Sequence, residues 1–139
     1  TFGHGFTYGC HPAGGAAGLA NIDIIERENL VENSATLGSY LLERLAPLKE
    51  HPTVGDIRGQ GLLCAIELVK DKHSKENLNT IPGAEKKLTQ RLRNNGMLTR
   101  VTTFVTVVPP LNVTKQDIDE MVDIVEDSIS FIEKDLNLT

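Results

Sequence analysis

Hydrophobic residues recur along this chain at two periods, and the switches between them mark out its elements. From residue 30 to 49, Leu37, Leu41, Leu45 and Leu48 fall at steps of four and three. One apolar stripe of this kind predicts an amphipathic helix ending near "KEHPTVGD". The period then drops to two, with Cys64, Ile66 and Leu68 on one face. That alternation predicts strands over 54–58 and 62–68 around a turn at Gly59 and Gly61. Helical spacing returns over 84–95 and closes at "NNG", where Gly96 suits a left-handed cap. The β-branched run "TRVTTFVTVV" predicts strands at 97–101 and 104–108. Thr114 and Asp117 then resemble a capping box ahead of a long helix carrying Ile118, Met121, Val122, Val125, Ile129 and Ile132.

Upstream of these elements, Pro12 suits the first turn of a helix over 13–28, with Leu19, Ile22, Ile25 and Glu26 at helical spacing. Gly14, Gly15 and Gly18 each cost about 1 kcal/mol of helix propensity relative to alanine, so close backbone approach to a neighbour is the expected compensation. The polar stretch "KDKHSKENLNTIPG", residues 70–83, reads as one exposed loop inside a single domain. The succession of elements predicts an α+β fold, with helices packed on one face of a small, mainly antiparallel sheet.

Composition narrows the classes of function. With 40% hydrophobic and 24% charged residues, the chain matches ordinary globular domains rather than disordered ones, and no apolar run approaches the length of a membrane span. A net charge of −5 without a Lys/Arg cluster argues against a nucleic-acid partner. Two distant cysteines, Cys10 and Cys64, do not make a disulfide framework, which favours a reducing, cytoplasmic setting. A start at Thr1 without a charged or apolar leader predicts no targeting segment and is expected of a fragment.

Chemistry concentrates in "HGFTYGCHPAGGAAG", residues 4–18. His4, Cys10 and His11 lack the paired spacing of a zinc site, so no metal is expected, and His51 and His73 lie in polar text that reads as solvated. Cys10 and His11 are sequence neighbours, which rarely face each other, so a loop thiol is favoured over a nucleophile with its base. Asp23, Glu26, Glu28 and Glu32 are expected on solvated helix surfaces. The "GFTYG" hydroxyls, running into a helix start, suit either a phosphate-like anion or tight helix packing. Arg100, the lone charge in "GMLTRVTTFVTVVPP", either reaches solvent or clamps a carboxylate.

Four segments occur in a telling order: "HGFTYGCHP", "AAGLANIDIIERENL", "VGDIRGQGLLCAIELV" and "VVPPLNVTKQDIDEMV". From His4 to about Val125 the chain resembles the C-terminal part of class III pyridoxal-phosphate-dependent aminotransferases, the group of ornithine, 4-aminobutyrate and omega-amino-acid transaminases. The resemblance implies the small C-terminal domain of a fold-type I enzyme. Residues 29–139 would form that domain, and residues 1–28 would be an interface loop and small-residue helix at the edge of a large domain.

By the same resemblance, Thr7 matches the threonine that binds the cofactor phosphate of the other subunit in a homodimer. Phe6 matches the aromatic lining that neighbouring site, and Arg100, in Gly96 to Arg100, matches the arginine that binds substrate carboxylates. Relatives often read "TYSGHP" where this chain has "TYGCHP", and its Arg100 to Pro109 spacing is about one residue short. The family's Schiff-base lysine and its pyridinium-binding aspartate lie upstream of the "GFTY" loop. Lys49 and the later lysines cannot be that residue. The implied activity is amino transfer between an amine or amino acid and a keto acid, with this stretch inactive alone. A pyridoxal-phosphate decarboxylase, racemase or aminomutase, or a non-catalytic interaction module, are the alternatives.

Overall fold

In the computed structural model, which describes residues 2–138, Pro12 opens helix α1 (Pro12–Arg27). Asn29, in the left-handed region at φ 50°, breaks it from α2 (Leu30–Leu45). The helix expected through residue 49 stops at Leu45 and continues as a 3₁₀ turn, Ala46–Glu50. Pro47 supplies the reason, since it has no N–H with which to extend the α ladder. The leucine stripe is buried as its spacing requires, from Leu37 through Leu41 and Leu45 to Leu48.

Strand β1 (Val54–Gln60) runs antiparallel to the long strand β2 (Leu63–Asp71), with Ile57 opposite Ile66. The other edge of β2 pairs with the two-residue strand β3 (Glu76–Asn77) and, after helix α3 (Ala84–Asn94), with β4 (Phe104–Val107). Helix α4 (Lys115–Leu136) completes the α+β fold. Cys64, Ile66 and Leu68 of β2 join Val105 and Val107 of β4 in one buried cluster with α2, α3 and α4, so the period-two expectation holds. On the opposite face Arg58 bonds Glu67 at 3.0 Å and lies 4.8 Å over the Phe104 ring, as suits the solvated side of an antiparallel sheet.

One close approach fixes how α2 crosses the sheet. A Cβ on Gly38 would fall 2.3 Å from the carbonyl carbon of Gly61, in the β1–β2 turn, where only a bare backbone fits. At the start of α4, Thr114 Oγ1 accepts from the Asp117 N–H while the Asp117 carboxylate accepts from the Thr114 N–H, the reciprocal pair of a capping box. Asn33 of α2 donates to the carbonyls of Leu111 (2.6 Å) and Val113 (3.2 Å), holding the proline-rich approach to that cap.

Two expectations are corrected. Residues 70–83 are not a featureless exposed loop: they include β3 and a 3₁₀ turn, Leu78–Thr80, whose first residue is buried beneath the sheet edge. His51 is not solvated. Its Nδ1 lies 2.8 Å from Glu133 of α4, and the same buried carboxylate accepts from the Thr53 N–H and hydroxyl at 3.2 and 2.7 Å. Polar sequence around His51 masked a partner far along the chain. Among the described residues nothing packs closely on the glycines of α1: a Cβ on Gly15 or Gly18 would meet nothing within 4 Å, and no α1 residue is buried.

Candidate carboxylate cleft and N-terminal loop

Helix α3 delivers the chain to Arg100 through a left-handed turn. Gly96 (φ 95°) donates to the Arg93 carbonyl and Met97 to that of Leu92, the paired bonds that close a helix and reverse its direction. The strand expected over 97–101 does not form. Val101 makes an isolated bridge to Val105, and the Thr106 N–H donates to the Arg100 carbonyl at 3.2 Å. Regular antiparallel pairing would return a bond from the Arg100 N–H to the Thr106 carbonyl. Instead the Thr99 hydroxyl donates to that carbonyl, and among the described residues no carbonyl accepts from the Arg100 N–H.

Arg100 itself is exposed, with no carboxylate in ion-pair reach among the described residues. It borders a cleft of about 520 Å³ whose apolar lining includes Met97, Leu98, Val108, Pro109, Met121 and Ile124, and it is the single cation in that lining. Two carboxylates share the cleft. The Thr114 cap bonds to Asp117 hold its carboxyl below the usual carboxylate range, so that group is occupied, whereas Glu120 is exposed. A free guanidinium beside apolar walls is suited to hold a carboxylate by two parallel hydrogen bonds. The sequence alternatives for Arg100, solvent or anion, thus meet in one geometry: an exposed cation at a concave apolar surface.

The "GFTYG" segment forms a turn over Thr7–Cys10, closed by the Gly9 N–H donating to the Phe6 carbonyl at 2.9 Å. Cys10 occupies the left-handed region at φ 61°, and the His11 ring caps α1 by accepting from the Gly14 N–H at 3.4 Å. At the helix start Pro12 has no N–H, and the Gly14 and Gly15 N–H groups are both paired to His11. His11 is engaged with α1 rather than poised as a base for the exposed Cys10 thiol. Burial pushes the Cys64 thiol up from its ordinary pKa, which suits a core residue.

Phe6 is 64% exposed and Thr7 is exposed beside it, so the turn presents an aromatic ring and a hydroxyl together. No residue from 2 to 11 lines the Arg100 cleft. Within one copy of this chain, Thr7 and Phe6 are therefore brought together with each other but not with Arg100. Sequence reasoning missed Thr99 and Thr106. Their signal was the threonine-rich flank of Arg100, which β propensity alone assigned to a strand.

The family model for class-III aminotransferases matches residues 1–129, and the chain belongs to that family. It is 39% identical over 139 residues to the taurine--pyruvate aminotransferase of Bilophila wadsworthia, covering 95% of this chain and 30% of that protein. Against the leucine/methionine racemase of Thermococcus litoralis it is 34% identical over 135 residues, again covering 95% of this chain and 30% of the relative. The omega transaminase of Pseudomonas jessenii, solved in complex with PMP, superposes with a TM-score of 0.89 at 36% identity, over 97% of this chain and 30% of that one. The chain thus spans about a third of the length of the relatives it matches.

Proposed function

We propose that this chain is the C-terminal part of a transaminase that moves an amino group between an amine or amino acid and a keto acid, with pyridoxal phosphate as cofactor. The observation that carries this reading is the unpaired Arg100 at an apolar cleft, in a chain of the class-III family. Arg100 binds the carboxylate of the keto acid or amino acid, and the apolar walls exclude water around that pair. The Thr7 hydroxyl, exposed and adjacent to Phe6, donates to the cofactor phosphate of the partner subunit, while Phe6 covers the neighbouring pocket. When bound, the cofactor supplies the electron sink that lets the amino group leave one carbon and join another.

The separation of Thr7 and Phe6 from the Arg100 cleft supports a homodimer in which each subunit completes the other's site. Residues 1–28 then belong to the edge of the large domain, consistent with an α1 that buries nothing here, and residues 29–139 form the small domain. With the cofactor lysine supplied from outside this stretch, the chain alone is inactive. Among the described residues no helix is long and apolar enough to cross a membrane, and both cysteines are free, which supports a cytoplasmic reading. The likeness to a racemase favours one second reading, racemisation through the same cofactor and carboxylate clamp.

The full-length protein decides between them. Transaminase action requires cofactor absorbance in the visible range and amine consumption that depends on a keto acid. Inversion of an amino acid without any acceptor supports the racemase instead. Arg100→Ala is expected to raise KM for pyruvate about 30-fold, the equivalent of roughly 2 kcal/mol for one charge-assisted pair. An unchanged KM would remove Arg100 from the site.

A further inference from the structure

We propose that Thr99 is a positioning residue for the carboxylate clamp, an assignment that rests on Arg100 holding the substrate carboxylate. The Arg100 peptide is fixed at two points on β4. Its carbonyl accepts from the Thr106 N–H at 3.2 Å, and the Thr99 hydroxyl one residue earlier donates to the Thr106 carbonyl. Thr106 is itself held in register on β2, opposite Ala65, so the anchor reaches back into the sheet. On the far side, the buried Val101 bridges Val105. Arg100 therefore sits between a hydroxyl tether and a buried plug, with its own side chain exposed.

The tether also determines what Arg100 is not. By occupying the Thr106 carbonyl, the Thr99 hydroxyl takes the acceptor that the Arg100 N–H would use in a regular ladder, and 97–100 stays out of the sheet. Removing the hydroxyl frees that carbonyl for the Arg100 N–H. The segment then zips onto β4, shifting the base of the arginine relative to the cleft. Serine keeps the donor; valine keeps the shape and loses it.

Full-length enzyme carrying Thr99→Val, Thr99→Ser, Arg100→Ala and the Thr99→Val/Arg100→Ala pair tests this with two acceptors, pyruvate and the carboxylate-free aldehyde butanal. The readout is the ratio of KM for pyruvate to KM for butanal, which loss of packing or fold alone does not move. Thr99→Val is expected to raise that ratio about fivefold, the change that one ordinary hydrogen bond controls. Thr99→Ser restores it, and the double variant shows no more than Arg100→Ala alone. If Arg100→Ala raises the ratio and Thr99→Val does not, or if the two effects multiply, the Thr99 assignment is overturned while the clamp stands. If Arg100→Ala leaves the ratio unchanged, the clamp itself fails and takes the tether with it.

Discussion

In α2 the residues at steps of four and three are buried against the sheet, whereas in α1 Leu19 and Ile22, at the same kind of spacing, are 68% and 51% exposed. Both helices have 16 residues, so length does not separate them. What differs is the surface each was written to meet. The α2 stripe finds β1, β2 and α4 in its own chain and closes a core with them. The α1 stripe, its glycine-rich opening and the Phe6–Thr7 turn find no covering surface among the described residues, and residues 2–29 contain no buried position. Apolar periodicity therefore predicts a helix with equal force in both regions, but it does not say whether the covering surface lies in the same stretch of chain.

Glycines offer the strongest way to break this comparison. Gly38→Ala drives a Cβ to within 2.3 Å of the Gly61 backbone, so α2 must move off the β1–β2 turn, at a cost of about 3 kcal/mol. Gly18→Ala places its Cβ in open space and improves local helix propensity by about 1 kcal/mol without lowering global stability. Urea denaturation of the two variants measures both. Equal losses would show that α1 and α2 belong to one packed unit after all.

The buried carboxylate of Glu133 ranks next. Glu133→Ala strands the Thr53 N–H and hydroxyl and leaves His51 without its partner, which is expected to destabilise the core by about 2 kcal/mol. Glu133→Gln keeps a carbonyl oxygen for Thr53 and is expected to lose less. A denaturation midpoint that Glu133→Ala leaves unmoved would show that this network closes nothing.

These two sites also show what the sequence conceals. Leu37, Leu41 and Leu45, the Cys64 to Leu68 alternation, the Gly96 cap and the Thr114 box were legible because each is decided by residues a few positions apart. Glu133 meets His51 across 82 residues, and Gly38 in α2 meets Gly61 in the β1–β2 turn with the whole of β1 between them, so no local pattern announces either contact. At the candidate site, Arg100 stood out as a lone charge in an uncharged run, and its exposure at a cleft follows from that isolation. Residues 97–101 misled because threonine serves two purposes. Its β-branch favours a strand, while its hydroxyl at position 99 competes for the very carbonyl that would make one. The roles proposed for Thr7 and Phe6 rest on family resemblance alone, since an exposed turn on an unburied helix meets no partner among the described residues.

Removing residues 1–28 has the smallest expected effect and puts the division between the regions to its most direct test. The remaining chain keeps every buried hydrophobic residue, and its urea midpoint is expected to match that of the full stretch. Its acid behaviour should match too. Asp119 is held below its ordinary value of 3.8 by hydrogen bonds from Tyr40 and Arg44, and Asp127 by those from Arg91 and Asn95. Both lie outside the deleted segment. A carboxyl whose folded pKa is depressed stabilises above its unfolded value, and that contribution fades as pH falls through the lowered folded value. Both chains are thus expected to hold their stability down to about pH 4 and then lose it in parallel. A truncated chain that melts earlier, or whose acid limb begins at higher pH, would place α1 and its exposed stripe within the same cooperative unit as α2 and the sheet.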